Sequence, residues 1–133
     1  KLSKNRDPIK AFALTVDTSI ITAAGNDFSY DDIFSRQVEG LMSANDIFIG
    51  LTTSGNSPNI LKSFQMCKKI GAKSILLSGK DGGAAVKEKM ADVNIIVPGP
   101  NTARIQEAHA ILYHTICFCL EKRLVEEKII SYR

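Results

Sequence analysis

The chain has 133 residues, 17 Lys and Arg against 14 Asp and Glu, and 44% hydrophobic residues. That length fits one compact domain, residues 1–133, and 44% apolar with 23% charged residues excludes a disordered chain. No apolar run approaches ~18–20 residues, so no membrane partner is expected, and a net charge of +3 with scattered basic residues gives no sign of a nucleic-acid partner.

Residues Lys1–Pro8 read as a solvated lead-in, with neither an initiator Met nor the apolar core of a signal peptide. The expectation is a chain that starts partway into a protein. Four short runs rich in Ile, Val, Leu and Phe follow: Ala11–Val16, Asp46–Leu51, Lys73–Ser78 and Val93–Pro98. They are nearly continuous rather than alternating, which predicts strands buried on both faces. Between them, Asp31–Leu41 places Ile33, Phe34, Val38 and Leu41 on one helical face. Asn59–Ile70 does the same with Ile60, Leu61, Phe64, Cys67 and Ile70, and Gly71 stands where a C-terminal glycine cap belongs. Gly82 and Gly83 precede a short helix over Ala84–Met90. A last helix, Thr102 to about Glu127, carries a core stripe of Ile105, Ala108, Leu112, Ile116, Cys119 and Leu120.

Alternating strands and helices predict a three-layer α/β/α sandwich with a mostly parallel sheet, flavodoxin-like in architecture. Ligands of such folds bind at the C-terminal edges of the strands, so the strand-to-helix turns matter most. Three cysteines, Cys67, Cys117 and Cys119, make an odd count without a C-x-x-C pair. They read as buried, inert thiols in a reducing, cytoplasmic compartment.

The most informative turn is Thr52-Thr53-Ser54-Gly55-Asn56-Ser57-Pro58-Asn59. Four hydroxyls fall within six residues, Gly55 permits a left-handed backbone, Ser57 suits an N-cap and Pro58 the first helical position. Hydroxyls beside a helix N-terminus make a phosphate cradle. Without a Lys or a G-x-x-x-x-G-K pattern, the turn fits a phosphomonoester on a small molecule rather than a nucleoside triphosphate. A Ser/Thr-rich capping turn with no ligand explains the same pattern. Ser78-Gly79-Lys80-Asp81-Gly82-Gly83 reads as a structural loop. Asp17-Thr18-Ser19 and Gly25-Asn26-Asp27 read as turn segments whose polar groups bond sugar hydroxyls or their own backbone. His109 and His114, the two histidines, lie on the last helix and fit a core residue, an acid/base or a metal ligand.

Together these segments resemble one family. Thr53-Ser54-Gly55-Asn56-Ser57 is similar to the phosphosugar loop of the sugar isomerase (SIS) domain. Gly25-Asn26-Asp27, Phe34-Ser35-Arg36-Gln37, Lys80-Asp81-Gly82-Gly83 and Arg104-Ile105-Gln106-Glu107-x-His109 resemble segments of the phosphoheptose isomerase family, from about Ile9 to Leu124. The resemblance implies an isomerase converting sedoheptulose 7-phosphate to D-glycero-D-manno-heptose 7-phosphate for bacterial lipopolysaccharide or capsule. It implies substrate contacts at Thr52, Thr53, Ser54, Ser57, Asn26, Asp27 and Gln106, zinc as cofactor at Gln106 and His114, and His114 as catalytic acid/base. Thr52 stands where Ser is more usual and keeps the hydroxyl. The family's N-terminal helical segment and first glycine-rich turn, with a zinc-binding His and Glu, have no counterpart here.

The alternative is a non-catalytic SIS-domain protein of the kind that associates with a replication initiator. The resemblance places an amide there at the position of His114, so the histidine favours the enzyme. A phosphosugar substrate and a homo-oligomer, a tetramer with shared sites, are the expected partners. The resemblance points to the tetramer, and helix geometry favours sharing without requiring it. On one helix, Gln106 and His114 stand ~12 Å apart along the axis and ~80° apart around it, while metal–ligand bonds to O and N are only ~2.0–2.2 Å. Either the helix begins after Gln106, or the two residues reach one ion from different subunits. Ile111, Tyr113, Phe118 and Leu120 extend the apolar surface of that helix beyond one core stripe, as a helix packed on a second partner requires.

Overall fold

The protein is seen in a computed structural model that describes residues 4–133. The first three residues of the lead-in lie outside the described residues. The chain divides into two compact units: residues up to Phe12 together with Glu107–Arg133, and Ala13–Gln106. The larger unit holds the sheet. β1 (Ile47–Thr52), β2 (Lys73–Gly79) and β3 (Val93–Val97) are parallel and lie in the order β1-β2-β3. Helix α3 (Pro58–Ile70) and the short α4 (Gly83–Lys87) make the crossovers, which confirms the expected parallel α/β architecture. Before the sheet come α1 (Thr18–Asp27), a 3-10 turn over Tyr30–Asp32 and α2 (Ser35–Leu41). α5 (Thr102–Glu126) follows it.

The core explains the local choices. Phe64 of α3 lies edge-on to Phe48 of β1, ring centroids 5.0 Å apart, and Val38, Cys67, Ala72, Leu76 and Ala85 complete the cluster. Gly50 has to be small, because a Cβ there would stand 2.7 Å from the Phe64 ring. α3 ends as expected, on Gly71 at φ 81°, whose N–H closes on the Cys67 and Lys68 carbonyls.

Several expectations change. Ala11–Val16 forms no strand and pairs with no edge of the three-stranded sheet, and Phe12 and Val16 are exposed rather than buried. The Leu14 carbonyl instead accepts from Gln37 Nε2 at 2.9 Å. β1 is not buried on both faces. Phe48, Gly50 and Thr52 point into the core, while Ile47, Ile49 and Leu51 are exposed. The helix over Asp31–Leu41 is split into the 3-10 turn and α2, and Leu41 leaves the core face at 54% exposure. On α5 the stripe stops early, since Cys119 and Leu120 are exposed. The cysteines divide accordingly: Cys67 is fully buried, and burial pushes its thiol pKa up, while Cys117 and Cys119 face outward.

The smaller unit pairs Arg6 with Tyr132 in an antiparallel bridge and ties Asp7 to the Ser131 N–H and to Arg133. Among the described residues, no helix is long and apolar enough to cross a membrane.

Candidate functional site

β1 and β2 end side by side, with Thr52 in register with Ser78. The Ser78 hydroxyl donates to the Thr52 carbonyl at 2.9 Å and closes the strand ends together. From this edge the chain turns through Thr53–Ser57 into α3. Gly55 sits at φ 68°, the left-handed conformation expected of a glycine at this point. Ser57 occupies the N-cap position and Pro58 the first helical position.

Ser57 does not cap with its side chain. Its hydroxyl lies 3.0 Å from the buried Thr52 hydroxyl instead. Ser54 Oγ accepts from the Asn56 N–H at 3.2 Å, which leaves the Ser54 hydroxyl proton available to an acceptor. Thr52, Thr53, Ser54 and Ser57 are thus brought to one strand edge, at the positive end of a 13-residue helix. A capping role alone does not account for a Ser at the N-cap whose hydroxyl makes no cap bond.

The second turn closes on the first. Ala84 N donates to Asn56 Oδ1 at 2.8 Å and Ala85 N to the Gly55 carbonyl at 3.0 Å. Asp81 accepts from the Gly83 N–H, a bond that holds its carboxyl below the ordinary carboxylate range. The structural reading of Ser78–Gly83 therefore fits.

Behind α3, Lys62 reaches Asp32 of the 3-10 turn at 2.8 Å. That bond, with a further one from the Ser29 hydroxyl, lowers the Asp32 pKa and anchors the helix that follows the Thr53–Ser57 turn.

Asn26 and Asp27 differ from expectation in local structure. They form the last turn of α1, not a loop, and Asn26 Nδ2 donates to Asp27 Oδ1 at 2.8 Å. The signal for this helix is Asp17, which caps α1 by accepting from the Ile20 N–H. Asp27 borders an apolar groove with Ile20, Phe28 and Leu41, and the Asn26 carboxamide bonds its neighbour rather than the Thr53–Ser57 turn. Asn56 is the residue that sequence reasoning passes over. Its signal is an Asn directly after a turn glycine.

Gln106 and His114 both belong to α5, which begins at Thr102, so the geometry in which the helix starts after Gln106 does not occur. Both are exposed; His109 is buried. His114 rests edge-on against Tyr113, 4.8 Å between centroids. Zinc takes three or four protein ligands, and no group of three or more His, Cys, Asp or Glu comes together among the described residues. Those residues alone do not fit a resident zinc.

No family model matches the chain. Individual proteins do. It is 51% identical over 120 residues to the phosphoheptose isomerase of Sulfurimonas denitrificans, which covers 90% of this chain and 60% of that protein. It is 42% identical over 122 residues to the enzyme of the same name from Helicobacter pylori strain Shi470, covering 92% of this chain and 62% of that one. Among solved structures, phosphoheptose isomerase from Neisseria gonorrhoeae matches with a TM-score of 0.79 at 45% identity, over 82% of this chain and 61% of that chain. The chain thus spans about three-fifths of the length of the curated relatives it matches. Over that shared span the chain is similar to phosphoheptose isomerases, in sequence and in its parallel α/β fold.

Proposed function

We propose that the full-length protein is a ketose/aldose phosphate isomerase that converts sedoheptulose 7-phosphate to D-glycero-D-manno-heptose 7-phosphate for bacterial surface heptose. The observation that carries this reading is the hydroxyl-lined turn at the end of β1, where Ser57 stands at the N-cap without capping. The similarity to phosphoheptose isomerases supports the choice of sugar.

Moving a proton between adjacent carbons through an enediol needs a base, an acid for the oxygens and a stabiliser for the developing oxyanion. In this reading Thr53, Ser54 and Ser57 hold the remote phosphate, and that binding energy orients the reacting end. Asn26, Asp27 and Gln106 contact the sugar, and His114 transfers a proton. Zinc, when bound, would polarise the sugar oxygens. Gln106 and His114 would be its ligands only within a larger donor set.

The protein is proposed to work in the cytoplasm as a homotetramer with sites shared between subunits. The start of α5 before Gln106 supports sharing. So does the outward apolar surface of Ile111, Tyr113, Phe118 and Leu120.

The test is turnover of sedoheptulose 7-phosphate by the full-length protein, with the aldose 7-phosphate resolved by NMR. Formation of the aldose supports the isomerase. Tight binding of the ketose with no turnover contradicts it and favours the non-catalytic SIS-domain reading.

A further inference from the structure

We propose that Asn56 is a positioning residue whose carboxamide clamps the phosphate turn to the start of α4 and so sets the donors that hold the sugar phosphate. The proposal rests on the phosphosugar reading of that turn. Asn56 is exposed and contributes nothing to the core. Its polar atoms are nevertheless well engaged: Nδ2 donates to the Ser54 carbonyl at 3.0 Å, Oδ1 accepts from Ala84 N at 2.8 Å, and its own N–H donates to Ser54 Oγ at 3.2 Å. One residue therefore fixes both the carbonyl and the hydroxyl of Ser54, and ties them to the next strand-to-helix turn.

The joint it makes is tight. A Cβ on Gly55 would stand 1.9 Å from the Gly82 carbonyl oxygen, and one on Gly83 2.4 Å from the Ser54 carbonyl oxygen and 2.6 Å from Asn56 Oδ1. The two turns approach until their backbones touch, and Ala85 N closes the same seam on the Gly55 carbonyl. Among short side chains, the carboxamide of Asn offers a donor and an acceptor on separate atoms for such a bridge. A turn held this way presents preorganised hydroxyls, whereas a loose one has to be ordered by the ligand at a cost in affinity.

The experiment uses the full-length protein. Asn56→Ala changes an exposed position, so the fold should survive with a melting midpoint close to the parent. KM for the sugar phosphate, and the Kd of inorganic phosphate by titration calorimetry, should rise about tenfold or more, with kcat within about threefold. Gly83→Ala attacks the same joint from the other side and should give the same split. If both variants bind as the parent does, or lose stability and kcat together at unchanged KM, Asn56 is not a positioning residue. A parent that binds neither sugar phosphate nor inorganic phosphate overturns the phosphosugar reading, and this proposal with it.

Discussion

The hydroxyls of Thr52 and Ser57 lie 3.0 Å apart, one at the buried end of β1 and the other at the N-cap of α3. That pairing spans the whole strand-to-helix turn and diverts Ser57 from the capping bond its position invites. Truncating Ser57 should therefore cost the helix little, whereas loss of a real N-cap costs about 1 kcal/mol. The Ser54→Ala/Ser57→Ala protein should melt near the parent yet show a KM for the phosphosugar raised by about tenfold or more per lost hydroxyl contact to the charged phosphate. A double variant that binds sedoheptulose 7-phosphate as well as the parent would reduce the turn to a cap.

Gly55 tests the same turn through the backbone. Its φ of 68°, and the 1.9 Å at which an added Cβ would meet the Gly82 carbonyl oxygen, leave Ala no place. Gly55→Ala should remove measurable phosphate binding. At Gly71, also left-handed at φ 81° but with nothing within 4 Å, Ala should cost only the strain of the left-handed backbone, about 1–2 kcal/mol, and leave binding intact. Comparing binding by the two variants in titration calorimetry checks the contrast.

His114 is exposed on α5 rather than packed in the core. His114→Gln should leave the melting temperature within a few degrees, while turnover falls by about 10²–10⁴-fold if it transfers a proton. Mixing His114→Gln with Gln106→Ala subunits probes the sharing. Under the shared-site reading, exchange restores measurable activity. No recovery after confirmed exchange places both residues in one subunit's site.

Asp92 gives the pH dependence. Hydrogen bonds from Lys73, then from the Ser74 N–H and hydroxyl, hold its carboxyl below the ordinary range. A carboxylate lowered in the folded state adds stability above its unfolded pKa, about 3.9, and that stability is lost as pH falls through the lower folded value. Asp92→Asn should therefore melt below the parent at pH 7, and the gap should close below about pH 4. A gap that persists in acid would assign the effect to packing.

Much of the larger unit is legible from the residues. Thr52–Ser57 stands out because a strand end, a glycine, an N-cap residue and a proline fall in order, and each demands a particular backbone. α3 is legible from its stripe and Gly71. Ala11–Val16 misleads because an apolar run encodes a tendency to burial but not the presence of a neighbouring strand. β1 misleads for a related reason: Ile47, Ile49 and Leu51 look like buried residues, yet α3 covers the other face. α1 is hidden because Thr18 and Ser19 read as turn residues, although Asp17 before them is an N-cap. Asn56 is legible as a turn residue after Gly55, but its partner is not, since Ala84 stands 28 positions away.

The most direct test is a crystal structure of the full-length protein with sedoheptulose 7-phosphate. The phosphate is expected at the end of β1, its oxygens within hydrogen-bond distance of the Thr53, Ser54 and Ser57 hydroxyls, with the Thr52–Ser57 and Asn56–Ala84 contacts kept. A phosphate bound elsewhere, with the Thr53–Ser57 turn unliganded, would contradict that expectation.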